Sequence, residues 1–560
     1  MPQIVATEHT SEIFGPWLYD YHWRVQQGGV THDEQGYIPK VGLAYTFPSE
    51  SAMYLTYNKY LSHTQHVQLE PAQRDVVAGV GLAFEEIDSF VDIEIAKSSA
   101  RAATIQIAMD PTDEGSYAYL PAEGAWGGDI FFGTVVDAPV IGNEAYLVIM
   151  HEIGHALGLL HGHEFPEFVA TGFDSQEYTV VTYTDYVGDT NTFSFDSGPV
   201  DWAQSFMQLD IAALQFLYGA NYASDGEVWS GDTTYRFSPH TGEMSINGVG
   251  QGVPAGNRIF RTIWDGDGDD TYDLSNYMTD LDVSLAQGAF STFSEAQLAD
   301  LDRFSDDPER IAAGNVANAL LVGGDRRALI ENAIGGGGDD RILGNVADNK
   351  LSGRYGNDNL VGGFGEDTLL GHAGDDRLLG GSGKDTLNGG DGADSLYGGN
   401  YKDLVIGGAG SDLLFGENDN DEILGGDGDD QMYGQSGRDI LKGGYGKDLL
   451  HGGYGVDFLY GQAGADVFRF AKASDSSVSK GLDWIMDFVS GADVIDLRGL
   501  APGELTLAIG GKFIVDQARV ITRLSDDTTV IEADIDGDRS ADFKVFVMGV
   551  TSLDQGDFVL

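Results

Sequence analysis

The lines Leu379-Gly380-Gly381-Ser382-Gly383-Lys384-Asp385-Thr386-Leu387 and Asn388-Gly389-Gly390-Asp391-Gly392-Ala393-Asp394-Ser395-Leu396 repeat one nine-residue pattern. From Ile334 the chain can be written in such lines without insertion, fourteen of them plus a fifteenth. Gly fills the second column of every line, and Leu, Ile, Val or Met almost always the ninth. Asp fills the seventh at Asp340, Asp358, Asp367, Asp376, Asp385, Asp394, Asp403, Asp412, Asp421, Asp430, Asp439, Asp448, Asp457 and Asp466; only Asn349 breaks the series. Glycine lets the backbone turn sharply and aim its carbonyls inward. The Asp adds a hard carboxylate oxygen, and the apolar ninth residue faces a core. A parallel β-roll solenoid is the expected result. Ca²⁺ takes about 6 to 8 oxygen ligands, more than one loop supplies, so ligands are expected from lines eighteen residues apart, such as Asp358 with Asp376. A flexible Gly/Asp linker would have no reason to keep the ninth column apolar. Where Tyr401 and Asp419 replace the fifth-column Gly, and in the line of Ala347 and Asn349, calcium binding is expected to be weak or absent.

The rest of the composition agrees. Across 560 residues, 31 Lys and Arg face 89 Asp and Glu, a net charge of −58. Such an excess repels itself unless cations bind, and it excludes nucleic acid as a partner. Hydrophobic residues at 42% rule out wholesale disorder. With 0 Cys there is no disulfide framework and no thiolate metal site. No apolar run approaches the roughly 18 residues needed to cross a bilayer. Met1 to Gly29 has its first basic residue at Arg24 and is interrupted by Glu8, Glu12 and Asp20, unlike a Sec-type signal peptide.

Ahead of the repeats the composition is that of a mixed α+β domain. Val76, Val77, Val80, Leu82, Ala83, Phe84 and Ile87 recur at largely helical spacing between Pro71 and Phe90, while Ile105, Ile107 and Met109 alternate like one face of a strand. A further helix is predicted over Tyr146–Leu159, with Gly158 able to end it. Along it the chain reads His151-Glu152-Ile153-Gly154-His155-Ala156-Leu157-Gly158-Leu159-Leu160-His161. His151 and His155 lie one helical turn apart, so both imidazoles can reach one metal, with Glu152 beside it as candidate general base. A turn at Gly158 brings His161 in as a third nitrogen ligand and leaves one position for water, the arrangement of a catalytic zinc site. Zn²⁺ there would lower the pKa of its water toward about 7 and polarise a carbonyl, so amide hydrolysis is the expected reaction class. Isolated histidines such as His9, His372 and His451 are expected to be surface or core residues. His163 reads either that way or as a residue at the site edge.

The eleven-residue motif resembles that of the metzincins, and three more stretches narrow the likeness to the serralysin family. Tyr178-Thr179-Val180-Val181-Thr182-Tyr183 is similar to its Met-turn, and Trp264-Asp265-Gly266-Asp267-Gly268-Asp269-Asp270-Thr271 to the start of its β-roll. Asp483-Trp484-Ile485-Met486-Asp487-Phe488 is similar to the segment that follows the roll. Serralysins are secreted bacterial zinc endopeptidases. The resemblance, over roughly residues 40 to 560, therefore implies a zincin-type α+β catalytic domain over 41–250 and a lead-in over 251–333. It further implies an all-β parallel roll over 334–470 and a C-terminal β region over 471–560, with residues 1–40 as a propeptide. His151, His155 and His161 would be zinc ligands and Glu152 the base. Tyr183 would be an extra ligand that swings off the metal to stabilise the oxyanion. Asp265 and Asp270 would join the repeat aspartates as calcium ligands. Val181 stands where the family has Met and Gly162 where Pro commonly follows the third His. Val181 is expected to loosen packing below the zinc without removing a chemical group. Tyr117-Ala118-Tyr119-Leu120-Pro121 with Gly127-Gly128-Asp129-Ile130 reads as an ordinary edge strand or as an edge that pairs with extended substrate; the resemblance favours the second.

The chain ends Asp557-Phe558-Val559-Leu560, similar to serralysin termini that address the chain to a one-step type I bacterial exporter. In calcium-poor cytosol the repeats would stay unfolded, and external calcium would drive folding. Asp534, Asp536, Asp538 and Asp542 read either as one more calcium site or as a solvated turn. The sequence thus points to an extracellular, monomeric, calcium-dependent zinc endopeptidase acting on proteins or peptides. A calcium-loaded adhesion module with a degenerate zinc domain is the alternative, opposed by retention of His151, Glu152, His155, His161 and Tyr183. A narrow processing activity is a second.

Overall fold

The computed structural model describes residues 41–47, 73–98, 104–110, 114–121, 127–164, 173–187, 189, 196–222, 231–305, 307, 310–477, 481–501, 503 and 505–560. The expected propeptide, residues 1–40, lies outside them, as do Pro71 and Ala72. The chain divides into two compact units, Met1–Asn276 with Val283–Ile330, and Tyr277–Asp282 with Glu331–Leu560.

The first unit is a mixed α+β structure. Strands β1 (Val41–Thr46), β2 (Ile93–Lys97), β3 (Ile105–Met109), β4 (Tyr117–Ala118) and β5 (Ile130–Phe132) form a five-stranded sheet in the order β2-β1-β3-β5-β4. Neighbours run parallel except β4, which closes one edge antiparallel to β5. Helix α1 (Gln73–Phe90) buries Val76, Val80, Ala83, Phe84 and Ile87 of the stripe that its sequence periodicity marks out, whereas Val77 is half-buried and Leu82 exposed. Helix α2 (Glu144–Leu157) starts two residues before the expected Tyr146, because the side chain of Asn143 accepts the N–H of Tyr146 at 2.9 Å and caps the first turn. It stops at Gly158, whose φ of 109° is left-handed. Helix α3 (Gln208–Tyr218) is almost wholly buried, and the Tyr218 hydroxyl donates to the carbonyl of Leu157 at 2.6 Å, satisfying an end carbonyl of α2. Residues 231–276 and 283–330 belong to the same unit; strand Arg261–Ile263 runs parallel to Val316–Asn318.

The second unit is the repeat array. Successive lines feed two sheets alternately: Lys350–Tyr355 pairs parallel with Thr368–Ala373, and Asn359–Phe364 with Arg377–Ser382. The register sets Leu351 opposite Leu369 and Leu360 opposite Leu378, one full coil apart. Ninth-column side chains from Leu351 to Leu459 are at most 1% exposed. At full burial each stabilises by roughly 1.5–3 kcal/mol. The turns require glycine: a Cβ on Gly383, at φ +144°, would lie 1.6 Å from the carbonyl oxygen of Gly365. Tyr401 and Asp419 keep the turn at positive φ, 77° and 76°. Beyond the repeats, Arg519–Ser525, Thr528–Asp534 and Phe543–Met548 form an antiparallel meander, and Phe558–Val559 pairs parallel with Val494–Asp496. Among the described residues no helix is long and apolar enough to cross a membrane.

Candidate active site and aspartate ladder

Helix α2 and the turn at Gly158 bring three imidazoles together. His151 Nε2 lies 3.1 Å from both His155 Nε2 and His161 Nε2, and the last two are 3.0 Å apart. His151 Nδ1 faces the carbonyl of Val180 at 2.8 Å, and His155 Nδ1 that of Leu159 at 2.7 Å. Those contacts make Nδ1 the donor on both rings and leave Nε2 with its lone pair. Converging lone pairs repel, so the cluster suits a cation. The spacing is close to the roughly 3.3 Å edge of a tetrahedron around a metal at 2.0–2.1 Å. Burial pushes His161 down to about 3, helped by His155 and His163, and lowers His151 and His155 as well. All three rings are therefore neutral, the form that ligates metal.

Glu152 is 5% exposed, with Oε2 lacking a hydrogen-bond partner. Burial raises its carboxyl to about 8, opposed by a hydrogen bond from the backbone N–H of Ala118. That bond ties edge strand β4 to the helix. Tyr119 pairs inward with the residues leading into β5, through Asp129 O at 2.9 Å and Gly128 N at 3.0 Å, so Ala118 and Leu120 turn their backbone groups the other way. The half-buried Tyr183 ring sits 4.7 Å from that of His161 and 5.5 Å from that of His151. His163 belongs to the same group, its ring 5.0 Å from His161 and 5.3 Å from Tyr183.

Below the histidines, Val181 is fully buried and its Cγ1 would stand 2.9 Å from a Cβ on Gly154. Valine thus closes directly on the helix backbone. A support that sequence reading missed is Asp210 on α3. Its carboxylate accepts Val180 N and Met207 N at 2.8 and 2.9 Å and the Thr179 hydroxyl at 2.6 Å, holding the turn whose Val180 carbonyl orients His151. Burial lifts Asp210 to about 7. One acidic residue in a helix with no other charge carries no sequence signal of this.

In the roll the seventh-column aspartates form two ladders. From Asp358 onward each Oδ1 accepts the backbone N–H of the seventh-column residue one coil earlier, as from Asp340 to Asp358 at 2.8 Å and from Asp358 to Asp376 at 2.7 Å. From Asp358 to Asp466 every Oδ2 is buried without a hydrogen-bond partner. A Cβ on Gly362 would lie 2.2 Å from Asp367 Oδ2 and 2.8 Å from Gly380 O, so carboxylate and carbonyl oxygens converge on one small space. This all-oxygen donor set fits a hard divalent cation such as Ca²⁺. Burial, then neighbouring aspartates, raise Asp358, Asp403 and Asp439 to about 8. Asp340 differs: Oδ1 accepts Leu281 N and Oδ2 Gly336 N. Asn349 is also self-sufficient, its Nδ2 donating to Glu331 O at 2.9 Å. Sequence reading missed that the ladders continue: Asp457 N donates to Asp483 Oδ1 and Asp466 N to Asp493 Oδ1, across separations of 26 and 27 residues. Asp265 and Asp270 are fully buried; Asp265 accepts the Tyr235 hydroxyl and Asp270 the N–H of Thr233. Asp534, Asp536 and Asp542 bring carboxylate oxygens within 4.8 Å of one another.

A parallel solenoid with an internal carboxylate ladder defines the C-terminal region as a β-roll. The Peptidase M10 serralysin C-terminal family matches residues 225–560, and the chain belongs to that family. It is 32% identical over 254 residues to the serralysin of Proteus mirabilis, covering 42% of this chain and 44% of that one. Metallopeptidase AprA of Pseudomonas marginalis is 30% identical over 250 residues, 42% and 46% of the two chains. Serralysin G of Dickeya chrysanthemi is 31% identical over 253 residues, 43% and 46%. The chain thus spans less than half the length of these curated relatives.

Proposed function

We propose that the protein is a secreted zinc endopeptidase whose β-roll binds calcium. The convergence of three neutral imidazole nitrogens at 3.0–3.1 Å, with the Glu152 carboxyl on the same helix, carries the reading. Zn²⁺ on His151, His155 and His161 would supply Lewis acidity to a water and to the scissile carbonyl. Glu152 takes a proton from the attacking water and returns it to the leaving amine. A cation beside it draws its raised pKa back toward the range useful at neutral pH. The Tyr183 hydroxyl donates to the oxyanion. The outward side of β4 pairs with extended substrate backbone, giving affinity with little sequence selectivity. In the roll, Ca²⁺ would compensate the ladder aspartates, and folding outside the cell would follow calcium binding. The C-terminal residues address the chain to a type I exporter, residues 1–40 serve as propeptide, and the mature protein is a monomer.

Hydrolysis of casein by calcium-loaded protein tests this, with Glu152→Ala and a zinc chelator as controls. Cleavage lost in both supports the peptidase. A protein that binds zinc, lacks residues 1–40 and still cuts nothing would overturn it in favour of a calcium-loaded binding module.

A further inference from the structure

Away from the histidines, the first unit holds a cleft of about 400 Å³ between α1, the start of α2 and strand Arg261–Ile263. That volume lies within the range of small-molecule sites. Phe90, Ile211, Ile263 and Trp264 form an apolar floor, each buried. Into it projects Arg261, a cation without a contact ion pair that is compensated only at longer range by Glu86. Its Nε has no hydrogen-bond partner, Nη1 reaches only the thioether of Met244 at 3.3 Å, and Nη2 only the carbonyl of Gln204 at 3.5 Å. Among the described residues no carboxylate lies within ion-pair distance of it. Buried guanidinium groups are ordinarily paired with a carboxylate or phosphate, and neither contact here is a substitute. The α1 side of the cleft carries the opposite charge: Glu85, Glu86 and Asp88 line it. Glu86 accepts the N–H of Phe206 at 2.9 Å, and burial raises it to about 7 despite Arg261 nearby.

An unpaired cation on one wall, carboxylates on the other and an apolar floor select the ligand's chemistry. A plain anion would satisfy Arg261 and be repelled by α1; a plain amine would leave Arg261 unpaired. We propose that this cleft binds a small zwitterion with an apolar side chain, a free amino acid or dipeptide. Its carboxylate forks onto Arg261 and its ammonium faces the acidic wall of α1. Tyr146 lines the cleft and belongs to α2, the helix of His151, so an occupant touches the element that positions the histidines. The binding claim stands without the peptidase reading.

Calorimetric titration of the full-length, calcium-loaded protein tests it, using leucine, leucyl-leucine, isocaproate as the carboxylate alone and isoamylamine as the amine alone. The expected result is binding of a zwitterion at least about tenfold tighter than either single-charge probe. Arg261→Met should weaken it at least about tenfold. Since Arg261 is half-buried and that variant can misfold, Leu82→Trp provides a second arm: Leu82 is 42% exposed at the cleft and a Trp there fills it. His155→Ala should leave binding unchanged. Absence of binding, equal affinity for isocaproate, indifference to Leu82→Trp in the folded variant, or loss in His155→Ala would each overturn the proposal.

Discussion

Stripping the protein of divalent cations should make its roll more stable in mild acid than at neutral pH. An aspartate raised in the folded state holds its proton where the unfolded chain has already lost it. Between the unfolded value near 3.9 and the raised value, the folded state therefore binds more protons, and stability falls as pH rises. One such group costs about 1.4 kcal/mol per pH unit. Asp358, Asp403 and Asp439 are each raised to about 8 and lie on non-adjacent rungs. From pH 5 to 7 each loses about 2.7 kcal/mol, so the three together lose about 8 kcal/mol. That is comparable with the whole stability of a domain, 5–15 kcal/mol. Hydrogen exchange over residues 350–470 of the full chain, corrected for the intrinsic pH dependence of exchange, reads the effect. Measurements in about 0.5 M NaCl screen the exposed charges and leave buried ones. Protection is expected at pH 5 and its loss at pH 7.5, with calcium reversing the order. Asp439→Asn should flatten the slope by about one proton. Equal or better protection of the metal-free roll at pH 7.5 would refute the reasoning.

Three further outcomes are expected. Asp210→Ala frees the N–H groups of Val180 and Met207 and should cost about 1–3 kcal/mol of thermal stability while lowering affinity for zinc, measured by competition with a chromophoric chelator. Val181→Met enlarges a fully buried side chain already closed on Gly154 and should destabilise by about 1–3 kcal/mol in urea unfolding; this reverses the sign expected if valine left the floor loose. Asn349→Asp removes the Nδ2 donor to Glu331 and should lower the melting temperature in chelator, with calcium restoring it.

The roll was legible in the sequence because one constraint recurs at fixed spacing: a turn that excludes Cβ, a carboxylate at the rung and an apolar side chain pointing inward. The histidine cluster was legible for a similar reason, since one helical turn and one glycine determine where three side chains meet. Asp483 and Asp493 escaped because intervening residues break the period, although the hydrogen bonds resume unchanged beyond them. Asp210 and Arg261 escaped for another reason. Each acts on partners distant in sequence, and a lone charge in an apolar stretch looks the same whether it supports a turn, faces a cleft or reaches solvent. The α2 start moved by two residues because a cap depends on which side chain turns back, and the hydrophobic lead-in at Tyr146 does not encode that.

The side chains at Asp340 and Asn349 complete their hydrogen bonds with backbone and amide groups, while the N–H of each donates to the carboxylate one coil on, Asp358 and Asp367. In a stacked array each coil is stabilised chiefly by its neighbour, so a coil whose rung side chain is already satisfied is the expected nucleus for the next. The N-terminal end of the array is then where assembly is expected to start, like a zipper whose first teeth come already joined.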